Sequence, residues 1–480
     1  MNKLFFILIA LFFLSGCNND VKENEWISLF DGESLDGWTP GEHDKSFFIE
    51  DGAIVSHGER SHLFYSGKVN DHDFKNFDFK CEVKVTPGSN SGLYFHTAFH
   101  DDGWPPQGYE VQINNVHNKL PDPPSIMTGS LNSVRNKYLT FVKDNEWFPI
   151  RMIVKGKRIQ VWVNDKLVID YQEPQVPFRP ESNQGRVLSS GTFALQSHSP
   201  ASKVFFRNIM VMGFSDDDTF KEPLPDVDEV FVKKITELHS IGFPLMDLHV
   251  HLKGGLSMNE ALKHSRLFGM DYGVAVNCGV DFPIDTDEKL FDYIASVRQE
   301  PAFNAMQAEG REWVGIFSDD AVKTFDYVFT DAMTYTDPLT GKRVQSWKPE
   351  QVNIPDKQQF MEFLSNYIVQ IMNEEPIDVY VNATYLPEVI ANEYDELWTR
   401  ERMERVIDAA VANDIAIEIS ARLKMPNFEF IKLAKEKGVK FTFGTNNIDN
   451  NLGHLEYCLQ VLEECGLTPA DMWVPKTKVD

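Results

Sequence analysis

Met246 to Leu252 reads MDLHVHL and sets two imidazoles and a carboxylate at the end of an apolar run. If the run from Gly242 is a buried strand, its alternation turns Asp247, His249 and His251 to one side, about 7 Å apart at successive steps. Neutral imidazole and carboxylate suit zinc, manganese or iron, and two histidines on one strand face form half a site. The plainer alternative is a histidine pair that only hydrogen-bonds in a polar barrel mouth.

The surrounding chain supplies the elements that would position these groups. Apolar strands are expected at 243–250, 272–277, 303–309, 325–331, 377–382, 415–420 and 440–445. Amphipathic helical stretches fall between them at 259–268, 288–297, 357–373, 402–413, 428–437 and 455–464. Strand-helix repetition of this kind predicts a seven-stranded parallel β/α barrel of the TIM type, with its site at the C-terminal strand ends.

A seven-stranded barrel opened by an HxH strand resembles the polymerase and histidinol phosphatase (PHP) family over most of residues 240–480. That resemblance implies ligands from every strand end, and here those ends carry His249 and His251, Asn277, Glu309, Asp331, Asn382, Glu418 and Asn446-Asn447. The departures are specific. Asn277 and Cys278 stand where the family has His or Asp, Asn382 replaces a His, Asp331 or Met333 stands where a His is usual, and Asn446-Asn447-Ile448 replaces Asp-x-His. Amides are poor ligands for such ions, so the expectation is one divalent ion (Zn, Mn or Fe) on His249, His251 and Glu309, with Asp331 as a further ligand. Asn277, Asn382, Asn446, Asn447 and Thr445 would bind sugar hydroxyls, and Lys253, Arg311 and Arg422 bring positive charge. Each arginine also has a plainer role in a salt bridge. Glu309 and Glu418 form a carboxylate pair able to act as base and acid if burial separates their pKa values.

Upstream, residues 26–214 show short alternating runs split by Gly, Asn, Asp and Pro, among them FKCEVKV (79–85), GYEVQIN (108–114) and RIQVWVN (158–164). Such a pattern predicts an antiparallel β-sandwich, specifically a jelly roll. Asn164-Asp165 is a tight-hairpin signal. In GYEVQI, Glu110 and Gln112 project to one face and Tyr109, Val111 and Ile113 to the other. His96 and His198, each ending an apolar strand, would partner them across a concave face, where they either move a proton, hold a metal or complete a structural network. Trp38, Trp104 and Tyr109 are candidate sugar platforms.

The phrases LFDGESLDGW (29–38), NSGLYFH (90–96), GYEVQI, TGSL (128–131), VNDK (163–166), LQSH (195–198) and FFRNI (205–209) resemble the 3-keto-disaccharide hydrolase family, a concanavalin-like sandwich. The resemblance implies action on glycosides oxidised at C3.

Residues 1–17, MNKLFFILIALFFLSGC, resemble a bacterial lipoprotein signal whose lipobox ends at Cys17. That predicts lipidation of Cys17, a membrane anchor in the cell envelope, at the outer membrane, and a tether at 18–25. The acidic stretch 215–229 is a linker between the sandwich and a barrel spanning 230–480. Four further cysteines in 480 residues make no disulfide framework. The formal charge of −26 excludes nucleic acid and favours a neutral, glycan-derived small molecule.

The resemblance to the 3-keto-disaccharide hydrolase family implies an enzyme that cleaves 3-keto-glycosides, and the barrel residues suggest Glu309 or Glu418 as its base and a metal at His249/His251 as electrophile. Glu110 and His198 are the rival catalytic pair. The alternatives are a lipid-anchored glycan-binding protein with a degenerate barrel, and a PHP-type phosphoesterase.

Overall fold

The computed structural model describes residues 25–115 and 124–476. The signal segment, Cys17 and nearly all of the 18–25 tether lie outside the described residues.

Two antiparallel sheets form the first unit. The eight-stranded sheet runs Lys166–Gln172, Arg158–Val163, Trp147–Lys155, Phe77–Val85, Val204–Gly213, Ala53–Ser56, Phe47–Glu50, with Ile27–Ser28 also on Val204–Gly213. The five-stranded sheet runs Trp38–Pro40, Ser61–Tyr65, Thr192–Ser197, Asn90–Thr97, Tyr109–Asn114. Alternation sends Leu63, Leu93, Phe95, Val111, Phe193 and Leu195 between the sheets, where Phe77 and Phe79 meet Phe193 with ring centroids 4.9 and 4.6 Å apart. The expected hairpin forms at Asn164 and Asp165, whose φ values of 46° and 62° are those of a two-residue I′ turn.

The seven expected barrel strands are present, as Met246–His251, Asp271–Gly279, Phe303–Glu309, Tyr327–Thr330, Val379–Tyr380, Ala416–Ser420 and Phe441–Gly444, in one parallel sheet in chain order. The sheet is nearly closed. Across the seam, Asn446 N donates to His249 O at 2.8 Å and Asp247 accepts from Thr445 N at 2.8 Å and from its hydroxyl. Helices pack outside, several started by side-chain caps, as where Ser257 and Glu260 form a capping box on Met258–Phe268.

The bottom of the barrel is closed by the sandwich. Tyr138 and Leu139 pack with Met246, Leu248, Phe303, Tyr327 and Val379 in one apolar cluster. Around them Lys137 pairs with Asp271, Tyr138 N donates to Asp271 Oδ2 at 2.6 Å, and Asn136 Nδ2 donates to His239 O at 2.8 Å. The acidic linker is pinned as well: Arg158 stacks over Phe220 at 4.7 Å and donates to Glu222 O at 2.5 Å.

Candidate functional site

The outer face of the five-stranded sheet gathers one polar cluster. Register sets Tyr94 beside Glu110, and Gln196 opposite His62. Gln196 Nε2 donates to Glu110 Oε1 at 2.9 Å and to the Tyr94 hydroxyl at 3.2 Å, while Arg186 Nη2 donates to Glu110 Oε2 at 3.2 Å. Glu110 leans over Gly92, where an added Cβ would lie 2.6 Å from its Oε1. Gln112 Nε2 donates to Asn90 Oδ1 at 2.5 Å, and Gln112 Oε1 accepts from Asn132 at 3.0 Å. Above this floor, the Trp104 ring stands 5.5 Å from His62 and 5.7 Å from His198.

Electrostatics keep the imidazoles neutral. Burial pulls His62 down to about 3 and lowers the half-buried His198. Burial, and then the Glu110 charge, hold the Tyr94 phenol well above its usual value. His62 Nε2, Gln196 Oε1 and Arg186 Nη1 are buried without a hydrogen-bond partner among the described residues. Three unsatisfied polar atoms around one carboxylate suit a ligand rich in hydroxyl and carbonyl groups.

The expected residues divide here. Glu110 and Gln112 share the face as alternation requires, and His198 lies at its rim. His96 does not join them: its φ of 55° breaks the alternation after Phe95, and the register with Thr192–Ser197 shifts at that point. Its ring turns instead against Phe77 and Phe95, with Nε2 on Lys75 O at 2.9 Å. Trp38 and Tyr109 are core residues, anchored on Leu29 O and Glu173, so of the three candidate platforms Trp104, 46% exposed, is the one open to a sugar. His62, Tyr94, Gln196 and Arg186 were missed. Extending alternation through NSGLYFH and LQSH would have found Tyr94 and Gln196. His62 sits in SHLFY, buried at every position and thus without a periodic signal.

The barrel mouth holds a second network. His249 Nδ1 hydrogen-bonds Glu418 Oε1 at 2.5 Å, Asn382 N donates to Glu418 Oε2 at 3.2 Å, and Asn382 Nδ2 donates to Asp331 Oδ2 at 2.9 Å. Asn446 Nδ2 reaches Asn382 Oδ1 at 3.1 Å. Glu309 accepts from Asn277 Nδ2 at 2.7 Å, and burial, with Asp331 nearby, pushes it up to about 8. The expected Glu309/Glu418 pair is thus divided between two partners. Lys253 is half-buried, its pKa lowered by that burial.

Other barrel expectations change. Asp247 does not line up with the histidines, because the register shifts between Asp247 and Val250 and its carboxylate is taken by Thr445 at the seam. Asn447 is occupied by backbone, accepting from His251 N at 2.7 Å and donating to His251 O at 2.8 Å. Arg311 pairs with Glu374 and Glu375 and not with a ligand site. Arg422 Nε donates to Asn446 O at 2.5 Å. Asn382 and Asn446 have left-handed backbone, φ 52° and 49°, which asparagine tolerates better than most residues. Cys278 is buried with its thiol pushed up, and all four described cysteines are free.

Fit to an ion is partial. Both imidazoles have Nδ1 at an acceptor, Glu418 for His249 and Ala275 O at 3.1 Å for His251, which leaves both Nε2 lone pairs free. That is how metal-bound histidines are oriented. Among the described residues, however, no three His, Cys, Asp or Glu side chains group closely enough to hold an ion.

Fold and site together define a β-sandwich with a partnered carboxylate on an open polar face, joined to a parallel β/α unit. Residues 25–212 match the family model described as a 3-keto-alpha-glucoside-1,2-lyase-like domain. The 3-keto-disaccharide hydrolase of Bacteroides thetaiotaomicron is 34% identical over 82 residues, 16% of this chain and 28% of that protein. The chain therefore matches little more than a quarter of that relative's length. A candidate glycosyl hydrolase from Parabacteroides distasonis aligns at 21% identity over 40% of this chain and 94% of its own, with a TM-score of 0.35. The carbohydrate-binding module CBM66 of Bacillus subtilis aligns at 16% identity over 37% and 96%, with a TM-score of 0.25.

Proposed function

We propose that the sandwich cleaves 3-keto-glycosides, with Glu110 as the base. The observation that carries this reading is the Glu110–Gln196–Tyr94–Arg186 cluster, with its unsatisfied polar atoms, inside the segment that matches the family model. A ketone at C3 acidifies the proton on C2. Glu110 takes that proton, the electron pair forms the C2–C3 enolate, and Arg186, whose Nη1 is free of other partners among the described residues, stabilises the charge on the ketone oxygen. Collapse of the enolate restores the ketone, forms the C1–C2 double bond and expels the C1 oxygen with its aglycone. The leaving oxygen takes the proton that Glu110 removed from C2, which returns Glu110 to its carboxylate. Water then adds across C1–C2, its oxygen to C1 and a proton to C2, completing hydrolysis.

The test is release of aglycone from a 3-keto-glycoside. Glu110→Gln should lower kcat by on the order of 10²- to 10⁴-fold with the fold intact by circular dichroism. His249→Ala with His251→Ala should leave kcat within a few-fold. The reverse pattern would return catalysis to the barrel.

The barrel mouth supports a second, separate reading. The two free Nε2 atoms favour a divalent ion there, with His249 and His251 as its protein ligands and Glu418 orienting one of them. Such an ion would supply Lewis acidity, and a PHP-like ancestry for the barrel belongs to the same proposal. Metal analysis of the purified protein, repeated on His251→Ala, tests it. The reading also includes a lipid anchor at Cys17 in the cell envelope, tested by palmitate labelling of the protein and of Cys17→Ala.

A further inference from the structure

The outer face of the eight-stranded sheet lies on the far side of the sandwich from Glu110, and it is built differently. Residues directly opposite one another on neighbouring antiparallel strands point to the same face. One such row runs Phe48, Val55, Phe205, Lys84, Trp147, and another runs Met210, Lys80, Arg151, Trp162. Cations and rings interleave along both. Lys84 Nζ stands 4.2 Å from the centroid of the Phe205 ring and 5.1 Å from that of Trp147, the Arg207 guanidinium lies 4.0 Å over Trp147, and Lys80 Nζ lies 3.9 Å over Trp26. Phe48 is 37% exposed, and Trp26 and Trp147 are half-buried.

Charge on this face departs from that of the whole chain. Arg151 and Arg207 are paired with Asp78 and Glu82. Lys80, Lys84 and Lys155, the last 3.7 Å over Phe214, have rings in place of carboxylates as partners among the described residues. Three such lysines on one sheet face stand out in a chain of formal charge −26. Lysine and tryptophan side by side suit a lipid–water boundary, where the ammonium reaches the phosphates and the ring lies at headgroup level. The chain also enters the fold here. Ile27 and Ser28 pair with Val211 and Met210, and Trp26 lies over Lys80. Nine steps of chain separate Trp26 from Cys17, at most about 32 Å, so a lipid on Cys17 would hold this end of the sandwich beside a bilayer.

We propose that this face seats the protein on an anionic phospholipid bilayer, with Lys80, Lys84 and Lys155 at the phosphates and Trp26, Trp147 and Phe48 at headgroup level. The inference rests on the lipid anchor at Cys17 and adds an orientation to it. The Glu110 face, on the other sheet, then opens away from the bilayer.

The experiment reads labelling by an amine-reactive reagent, lysine by lysine, on the lipid-modified protein. It is compared in vesicles of equal parts phosphatidylglycerol and phosphatidylcholine, in vesicles of phosphatidylcholine alone, and in detergent micelles. Lys80, Lys84 and Lys155 should label about fivefold more slowly on the anionic vesicles than in micelles, as about 1 kcal/mol per lysine at such a surface implies. Lys263 and Lys432, exposed on the barrel, should label equally in all three. In about 1 M salt, where the screening length falls to about 3 Å, the protection should shrink. Protection no greater than that of Lys263 and Lys432, equal on phosphatidylcholine alone, or unchanged by salt would overturn the proposal. So would protection in micelles that grows with protein concentration, the mark of a second copy on this face. If Cys17 carries no lipid, the anchor reading fails, and unmodified protein mixed with the anionic vesicles judges the face alone. Protection of the same three lysines then supports the face, and its absence removes it.

Discussion

Gly444 shows how closely the barrel mouth is fitted around its dyad. A Cβ there would stand 2.6 Å from His249 Cβ and closer still to the Glu418 carboxylate. Gly444→Ala should therefore force the two side chains apart and cost about 1–3 kcal/mol of stability, read by chemical denaturation. His62 yields a pH prediction. Its folded pKa of about 3 lies below the ordinary 6.5, so between those values the unfolded chain binds the extra proton. Stability from this group is complete above pH 6.5 and is lost as pH falls toward 3. His62→Phe should flatten the acid-side slope of stability by about 1.4 kcal/mol per pH unit. Denaturant midpoints for both proteins at about pH 7 and about pH 5.5 measure this, and the difference isolates His62 from Glu309, whose raised pKa acts with the opposite sign.

Elements differ in how legible they were. Barrel strands and helices fall within a few residues of their expected ends, because a parallel strand buried on both faces and an amphipathic helix each write a clear pattern. The sandwich strands Phe77–Val85, Tyr109–Asn114 and Arg158–Val163 were equally plain. Trp38–Pro40, Phe47–Glu50, Ala53–Ser56, Ser61–Tyr65 and Lys166–Gln172 were not. Ser61–Tyr65 matters most, since it carries His62 and is buried along its whole length. Two register shifts account for the misplaced side chains, one at His96 and one between Asp247 and Val250. A bulge adds one residue and turns the rest of the strand to the other face, and period-2 reading has no means of registering it.

Across the whole molecule, the sandwich closes the floor of the barrel. Tyr138 is fully buried among barrel residues, with its backbone amide on Asp271 and its hydroxyl on Phe243 O at 3.2 Å. Tyr138→Ala should cost about 3–5 kcal/mol and broaden thermal unfolding as the two units lose cooperativity, visible by calorimetry. A barrel expressed from residue 230 onward, lacking Tyr138 and Leu139, should expose that apolar floor and bind a hydrophobic dye. The C-terminal strand ends, with His249 and Glu418, lie at the opposite end of the barrel from this contact. The two polar clusters are therefore built on separate surfaces and can be altered one at a time.

Strand and helix periodicity, being local, wrote both architectures into the chain, together with the face on which Glu110 and Gln112 lie and the HxH at a strand end. Which side chains share a site depends on register across strands distant in sequence, and no local pattern encodes that. Gln196 on Glu110, His249 on Glu418, Asn447 spent on the backbone of His251 and Arg311 drawn to Glu374 and Glu375 are all partnerships between residues 63 or more positions apart. Packing chose those partners, because a buried polar atom must be satisfied by whatever the fold brings within reach.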